Sequence, residues 1–294
     1  MTQPCTVLVT GATGQQGGSV ARALLGKGHR VRALTRHPDS GPARDLARLG
    51  AETVYANFDD RLSLIGAARG ADVVFAVSTP FEAGTAVEVS QGLGLLEACK
   101  RAEVARIILS SVAGADQRTG IPHFDSKHRL EQHAASMGVA FSIVAPVFFM
   151  ENLLASWMLP ALRDGRLALA LPAMRKVQMI AVEDIGAFVA ELVADPKLHA
   201  GERVEIAGDD VTGMDAADVL TRASGDEIEY AEIGLDQVGA ASEDMARVFA
   251  WLRDVEVRAD LPALRRNHAR VGWHTLEAWA RKQDWAILKP TSER

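Results

Sequence analysis

Short apolar runs alternate with amphipathic stretches along the first half of the chain, and the two periods predict a strand–helix series. β-Branched runs mark strands at Thr6–Thr10, Val31–Thr35, Glu52–Tyr55, Val73–Val77, Arg106–Ser110 and Phe141–Val144. Between them, helical spacing puts Val20 and Leu24 on one face of Ser19–Leu25. It predicts further helices over Ala43–Leu49, Arg61–Ala68, Glu88–Arg101 and Ser126–Met137. Gly26, Gly50 and Gly138 stop three of these, Pro42 opens the second, and Asp60 can cap the third. Such alternation predicts an α/β fold: a doubly wound, mainly parallel sheet, covered on both faces and joined by right-handed crossovers.

The rhythm changes near residue 150. Leu153–Leu162 reads as a helix before a loop-like Arg163–Arg166, Val177–Val182 as a strand, Asp184 as the cap of a helix to Ala194, and Glu202–Ala207 as another strand. Beyond Thr212 the pattern is more helical and holds Trp251, Trp273, Trp279 and Trp285. The expected organisation is a first domain over 1–152, with 177–210 returning to its sheet, and a smaller mixed lobe from 153–176 and 211–294. A length of 294 residues suits two such units.

Composition narrows the classes. At 48% hydrophobic and 24% charged, the chain is neither disordered nor fibrous. A net charge of −6 lacks the bulk field for non-specific nucleic-acid binding. Cys5 and Cys99 alone can build neither a disulfide framework nor a four-cysteine zinc site. The longest apolar run, Phe141–Met150, is broken by Ser142 and Pro146 and is too short for a membrane span, and the N-terminus lacks a secretory pattern. The expectation is a cytoplasmic protein with no membrane or nucleic-acid partner.

The strongest chemical signal follows the first strand. Glycines at 11, 14 and 17 give a G-x-x-G-x-x-G spacing that opens a helix. Gly11 permits the tight turn, Gly14 lets the backbone approach a diphosphate, and Gly17 lets the helix pack closely on the sheet. Thr13, Gln15 and Gln16 complete the turn, whose N–H groups and helix dipole favour phosphate. The pattern predicts a dinucleotide site. An NAD site usually carries an acid after the second strand, but here Arg36 stands there, nineteen residues past Gly17. A guanidinium can grip a 2′-phosphate bidentately, which favours NADP(H). Ligands sit at the carboxyl ends of strands. That rule adds Asn57, Phe58 and Asp59 at the adenine, and Val77, Ser78, Thr79 and Pro80 along the ribose side. Ser110 and Ser111 after the fifth strand, and Pro146 and Phe148 after the sixth, complete the cofactor-facing set.

The segments G-A-T-G-Q-Q-G-G, R-A-L-T-R, S-S-V-A-G and P-V-F-F-M-E-N resemble the NmrA-like branch of atypical short-chain dehydrogenases/reductases. His123-Phe124-Asp125-Ser126-Lys127 resembles the redox-sensor members of that group in particular. The resemblance covers about residues 5–210 well and the rest loosely. It implies a Rossmann-type domain with a small C-terminal lobe and NADP(H) binding. Functions within the group divide between reduction of quinones, dyes or phenylpropanoid-type substrates and nucleotide-dependent regulation of partner proteins.

Ordinary short-chain reductases use Tyr-x-x-x-Lys. This chain resembles them in the lysine, Lys127, but has His123 four residues before it and Ser110 thirteen residues before that. The two tyrosines, Tyr55 and Tyr230, lack the spacing. Lys127, His123 and Ser110 are therefore the catalytic candidates, Lys127 also at the nicotinamide ribose. His123 is either a proton donor, its ordinary pKa of ~6.5 lying near working pH, or a polar contact. Without the phenol, an acceptor whose reduced form is stabilised by delocalisation fits better than a simple carbonyl. Phe148, Phe149, Met150 and Trp157 are candidates for an apolar acceptor wall, with Asn152 beside them. Histidines 123, 128 and 133 rotate about 140° per step around a helix and do not converge on a metal. The basic run Arg265–Arg270 reads as a solvated face. Two functions stay open: an NADP(H)-dependent reductase of an apolar acceptor such as a quinone or conjugated carbonyl, and a non-catalytic NADP(H) sensor acting on a protein partner. A homodimer is compatible with either.

Overall fold

The computed structural model describes residues 4–255 and 259–289. Two compact units emerge: the chain up to Pro146 with Val182–Glu205, and Val147–Ala181 with the chain from Ile206 onward.

The first unit begins β1 (Thr6–Val9), α1 (Gln15–Gly26), β2 (Arg30–Thr35), α2 (Gly41–Arg48), β3 (Glu52–Tyr55) and α3 (Arg61–Ala68). It continues β4 (Val73–Ala76), α4 (Thr85–Arg101), β5 (Arg106–Ser110), α5 (Pro122–Ser136) and β6 (Ala140–Pro146). The chain then contributes β7 (Phe148–Phe149), α6 (Leu159–Arg163), β8 (Arg166–Leu169) and β9 (Lys176–Ile180) to the second unit. It adds α7 (Val182–Ala194) and β10 (Arg203–Ile206) to the first sheet's side. It ends in the second unit with β11 (Asp209–Thr212), α8 (Gly213–Ser224), β12 (Glu229–Glu232), α9 (Leu235–Ala241), α10 (Glu243–Asp254), α11 (Leu261–Asn267) and α12 (Leu276–Ala280).

Among the described residues the main sheet has seven strands in the order β10-β6-β5-β4-β1-β2-β3, parallel from β6 to β3. This is the Rossmann-type, doubly wound sheet. Its central strands are apolar on both faces: Val7, Leu8, Val74, Phe75, Ile107 and Ile108 are sealed from solvent. Each such side chain contributes roughly 1.5–3 kcal/mol. On one face Leu8, Val74 and Ile107 pack with Leu64, Leu95, Leu96 and Leu130 from α3, α4 and α5. Elsewhere in the unit α1 packs on α7. β1 sits between β4 and β2, where the direction of winding reverses, and a ligand crevice opens at the carboxyl ends of such neighbours.

The second unit holds a three-stranded sheet, β11-β9-β7, and a two-stranded sheet, β12-β8. Its core includes Met150, Leu153, Leu162, Leu167, Leu220, Leu276 and Trp279.

Several expectations change. Strand 176–180 pairs with β11 and β7, not with the main sheet, so the returning segment is 182–205 instead of 177–210. Arg106 helps hold that segment: its guanidinium donates to the Leu192 carbonyl at the carboxyl end of α7 (2.5 Å), the Leu198 carbonyl (2.9 Å) and Ser142 Oγ (2.7 Å). The first unit's leading segment stops at Pro146 instead of 152. Asp184 lies inside the first turn of α7, which starts at Val182, and does not precede it. The expected helix 153–162 splits into a 3₁₀ turn at Met150–Leu154 and a short α6, with Pro160 in its first turn.

Candidate functional site

The turn after β1 is built from backbone. Thr10 is tied to the end of β4: its hydroxyl accepts from Val77 N–H (2.8 Å) and donates to the Val77 carbonyl (2.9 Å), and its own N–H donates to the Phe75 carbonyl (3.0 Å). Gly11 takes φ +59°, and a Cβ there would lie 2.8 Å from Val77 Cγ1. A Cβ on Gly17 would lie 2.3 Å from the Gly11 carbonyl oxygen, a backbone atom that cannot move aside. Gly14 is the N-cap of α1 and donates to the Gly11 carbonyl (2.9 Å). Among the described residues no side chain caps the start of α1, and no acid stands in its first turn. Thr13, Gly14 and Gln15 are exposed. Gln16 is held by Ser110, whose hydroxyl donates to Gln16 Oε1 (2.7 Å). Ser111 is buried, and among the described residues its hydroxyl has no protein partner. Bare helix N–H groups over glycines, with a buried hydroxyl spare nearby, fit a dinucleotide diphosphate.

Arg36 stands exposed just beyond β2 and forms a 2.9 Å ion pair with Glu82 in the loop after β4. After β3, Asn57 Oδ1 accepts from Asp59 N–H (3.1 Å), and Asp59 Oδ1 accepts from Gln91 Nε2 (3.0 Å). Phe58 packs half-buried on the helical core. Asp60 caps α3 through Leu62 N–H and Ser63 N–H. In the loop after β4, Val77 and Ser78 are half-buried, Thr79 is exposed and Pro80 is buried.

Helix α5 already begins at Pro122, so His123 and Lys127 stand one turn apart on it. Lys127 Nζ lies 2.8 Å from Glu88 Oε1 and donates to the Ser78 carbonyl at 2.6 Å. This pair is sealed: the Lys127 side chain is 10% exposed and the Glu88 side chain 0%. Ser126 Oγ donates to Glu88 Oε2 (2.5 Å), and Ser78 Oγ to Glu88 Oε1 (3.1 Å). The half-buried His123 ring packs edge-on to Phe124, centroids 4.7 Å apart, and 5.8 Å from the exposed Phe81. One turn further along α5, Glu131 pairs with Arg203 (3.1 Å), which also donates to the Val112 carbonyl (2.8 Å) in the loop after β5. His128 pairs with Glu131 and His133 with Glu97.

The expected acceptor wall lies in the second unit and is only partly a surface. Met150 is fully buried in that unit's core and is removed from the wall. Phe148 packs half-buried on the same core. Phe149 and Asn152 are half-buried and Trp157 is 53% exposed. Tyr230 is structural: its hydroxyl donates to the Leu171 carbonyl (2.5 Å), and burial, with Glu232 adding to it, pushes its pKa up to about 12. The basic run is not simply solvated, since Arg265 donates to the Gly208 carbonyl (2.8 Å) and His268 is buried.

Sequence reasoning missed Glu88, Glu82 and Phe81. Glu88 carried a readable signal: it falls on the α4 stripe with Gly92, Leu95, Leu96 and Cys99, an acid at a core position that demands a buried cation. Glu82 and Phe81 sit in a loop without periodicity and left none.

An NAD(P)H azoreductase of Xenophilus azovorans is 30% identical over 241 residues, 81% of each chain. The oxidoreductase FrzB of a Cladobotryum species is 34% identical over 167 residues, and the match spans 52% of this chain and about half, 49%, of that protein. Among solved structures, an NADPH-dependent quinone oxidoreductase of Escherichia coli superposes with TM-score 0.76 at 24% identity, covering 93% of this chain and 98% of the other. A family model matches residues 3–280, and the chain belongs to the NmrA-like family.

Proposed function

We propose that the chain is an NADP(H)-dependent reductase delivering hydride to an apolar, aromatic acceptor such as a quinone or conjugated carbonyl. The carrying observation is the N-terminal part of α5. It presents His123 and a charge-paired Lys127 where a simple carbonyl reductase needs an acidic phenol, and Tyr230 is committed to the Leu171 carbonyl. The glycine turn binds the diphosphate through the N–H groups of Gln15–Gly17, Arg36 takes the 2′-phosphate, and Asn57, Phe58 and Asp59 border the adenine. Ser110, Ser111 and Lys127 face the nicotinamide riboside, with Val77–Pro80, Pro146 and Phe148 as further cofactor-facing positions. The bound nucleotide supplies the hydride. A quinone that receives it becomes a stabilised phenolate, which takes its proton from His123 or water. His123 therefore assists the reaction without being indispensable. Phe149, Asn152 and Trp157 are the acceptor-facing candidates of the second unit. The names of the azoreductase relative and the quinone oxidoreductase support an acceptor of this class.

Steady-state NADPH oxidation with a panel of quinones and azo dyes tests this. Turnover with at least one acceptor, and weaker turnover with aliphatic ketones, is expected. Tight NADPH binding without turnover on any acceptor would replace the reductase with a nucleotide-sensing regulator.

A further inference from the structure

Lys127 does not stand alone, and the company it keeps assigns a role to a residue with no part in the proposed chemistry. The Glu88 carboxylate is entirely enclosed, and its partners among the described residues come from α5 and from the loop after β4. Lys127 Nζ reaches Oε1, Ser78 Oγ donates to Oε1, and Ser126 Oγ donates to Oε2. The helices carrying the pair are pressed together: a Cβ on Gly92, one turn after Glu88, would lie 2.6 Å from Leu130 Cδ1, one turn after Ser126. A carboxylate in such a place is tolerable only when its oxygens are fully satisfied by hydrogen bonds. An ammonium has three donors. Glu88 and the Ser78 carbonyl take two, at 2.8 and 2.6 Å, while the third has only the Ser78 hydroxyl at a long 3.5 Å, a contact weak enough to yield to a closer acceptor.

We infer that Glu88 is a positioning residue: it fixes the place and orientation of the Lys127 ammonium, so that its weakly engaged third N–H is presented to the nicotinamide ribose. This rests on the proposed reading of Lys127 as the ribose-facing group. Glu88 itself touches no ligand. It acts through Lys127, and through Ser78 and Ser126, whose hydroxyls it also orients.

The test compares two ligands across four proteins. NADPH spans the whole site, whereas adenosine 2′,5′-bisphosphate carries only the 2′-phosphate end. Both are titrated into the parent, Glu88→Gln, Lys127→Gln and the double variant, with melting temperature recorded alongside. Loss of a charge-assisted contact predicts about tenfold weaker NADPH binding by Glu88→Gln, with the bisphosphate changed less than about twofold. The double variant should bind NADPH no more weakly than Lys127→Gln alone, because nothing remains for Glu88 to hold. Parent-like NADPH binding by Glu88→Gln, equal losses for both ligands, or losses that multiply in the double variant would each overturn the inference. If Glu88→Gln does not fold, Glu88→Asp keeps the charge but retracts it by one methylene. It should weaken NADPH selectively, and only while Lys127 is present. Failure of the parent to bind either ligand would remove the proposed function as well. Binding of both with an indifferent Glu88 would remove this inference alone.

Discussion

Two cation–carboxylate pairs of the first unit, both involving residues after β4, differ in almost every physical respect. Arg36, just beyond β2, and Glu82, in the loop after β4, are 52% and 61% exposed. Lys127 and Glu88, on α5 and α4, are 10% and 0% exposed. The distances are nearly equal, 2.9 and 2.8 Å, so distance says little about strength. An exposed pair contributes about 0–1 kcal/mol and gives way readily to a competing anion. A buried pair adds little over an apolar pair of the same volume, yet losing one partner strands a charge and costs about 3–5 kcal/mol. The first pair suits a hand that must open for a phosphate, and the second suits a fixed post.

The comparison breaks most visibly at the buried pair. Lys127→Met should lower stability by about 3–5 kcal/mol in chemical denaturation, because it strands Glu88. Adding Glu88→Leu should restore most of that loss. Arg36→Met, by contrast, should change stability by no more than about 1 kcal/mol. A Lys127→Met protein as stable as the parent would erase the distinction.

The glycine turn after β1 comes next. Gly17→Ala drives a methyl into the Gly11 carbonyl, which should cost about 1–3 kcal/mol and displace the N–H groups proposed to face the diphosphate. Calorimetry should find lost binding of NADPH and NADH alike in a protein that still melts cooperatively. Retained affinity for both nucleotides would separate the turn from the site.

Arg36→Asp sharpens the comparison at the exposed pair. Loss of a charge-assisted contact to the 2′-phosphate should weaken NADPH by about 1.5–3 kcal/mol and leave NADH nearly unchanged, as measured by fluorescence titration. Equal weakening of both would remove Arg36 from cofactor choice. The smallest effect belongs to Glu82→Gln, which frees Arg36 from its competitor. NADPH should bind tighter by less than about 1 kcal/mol, with NADH unaffected.

The same contrast explains what was legible in the sequence. The glycine turn was readable because its requirement is steric and local: Gly11, Gly14 and Gly17 sit within one strand–turn–helix segment, and nothing distant is needed to see them. The parallel sheet was readable because buried strands such as Val73–Ala76 are apolar throughout. The Glu88–Lys127 pair links residues 39 positions apart, and only the packing of α4 on α5 brings them together. The second unit was less legible for a related reason. Strand Glu229–Glu232 is half-buried at its centre and exposed at both charged ends, so period two scarcely registers there. The expected strand Val177–Val182, observed as Lys176–Ile180, is assigned to the wrong sheet by its sequence because composition marks a strand without naming its partner. Met150 looked like a ligand contact because an apolar residue after a strand end reads the same whether it faces a ligand or a core.

The central claim is that the turn after β1 cradles a dinucleotide diphosphate and that Arg36 reads its 2′-phosphate. Parallel titration of the unaltered chain with NADPH and NADH, followed by cofactor fluorescence, tests it most directly. Saturable binding of both, tighter for NADPH by tenfold or more, is the predicted result. A chain that binds neither nucleotide, or that prefers NADH, would contradict it.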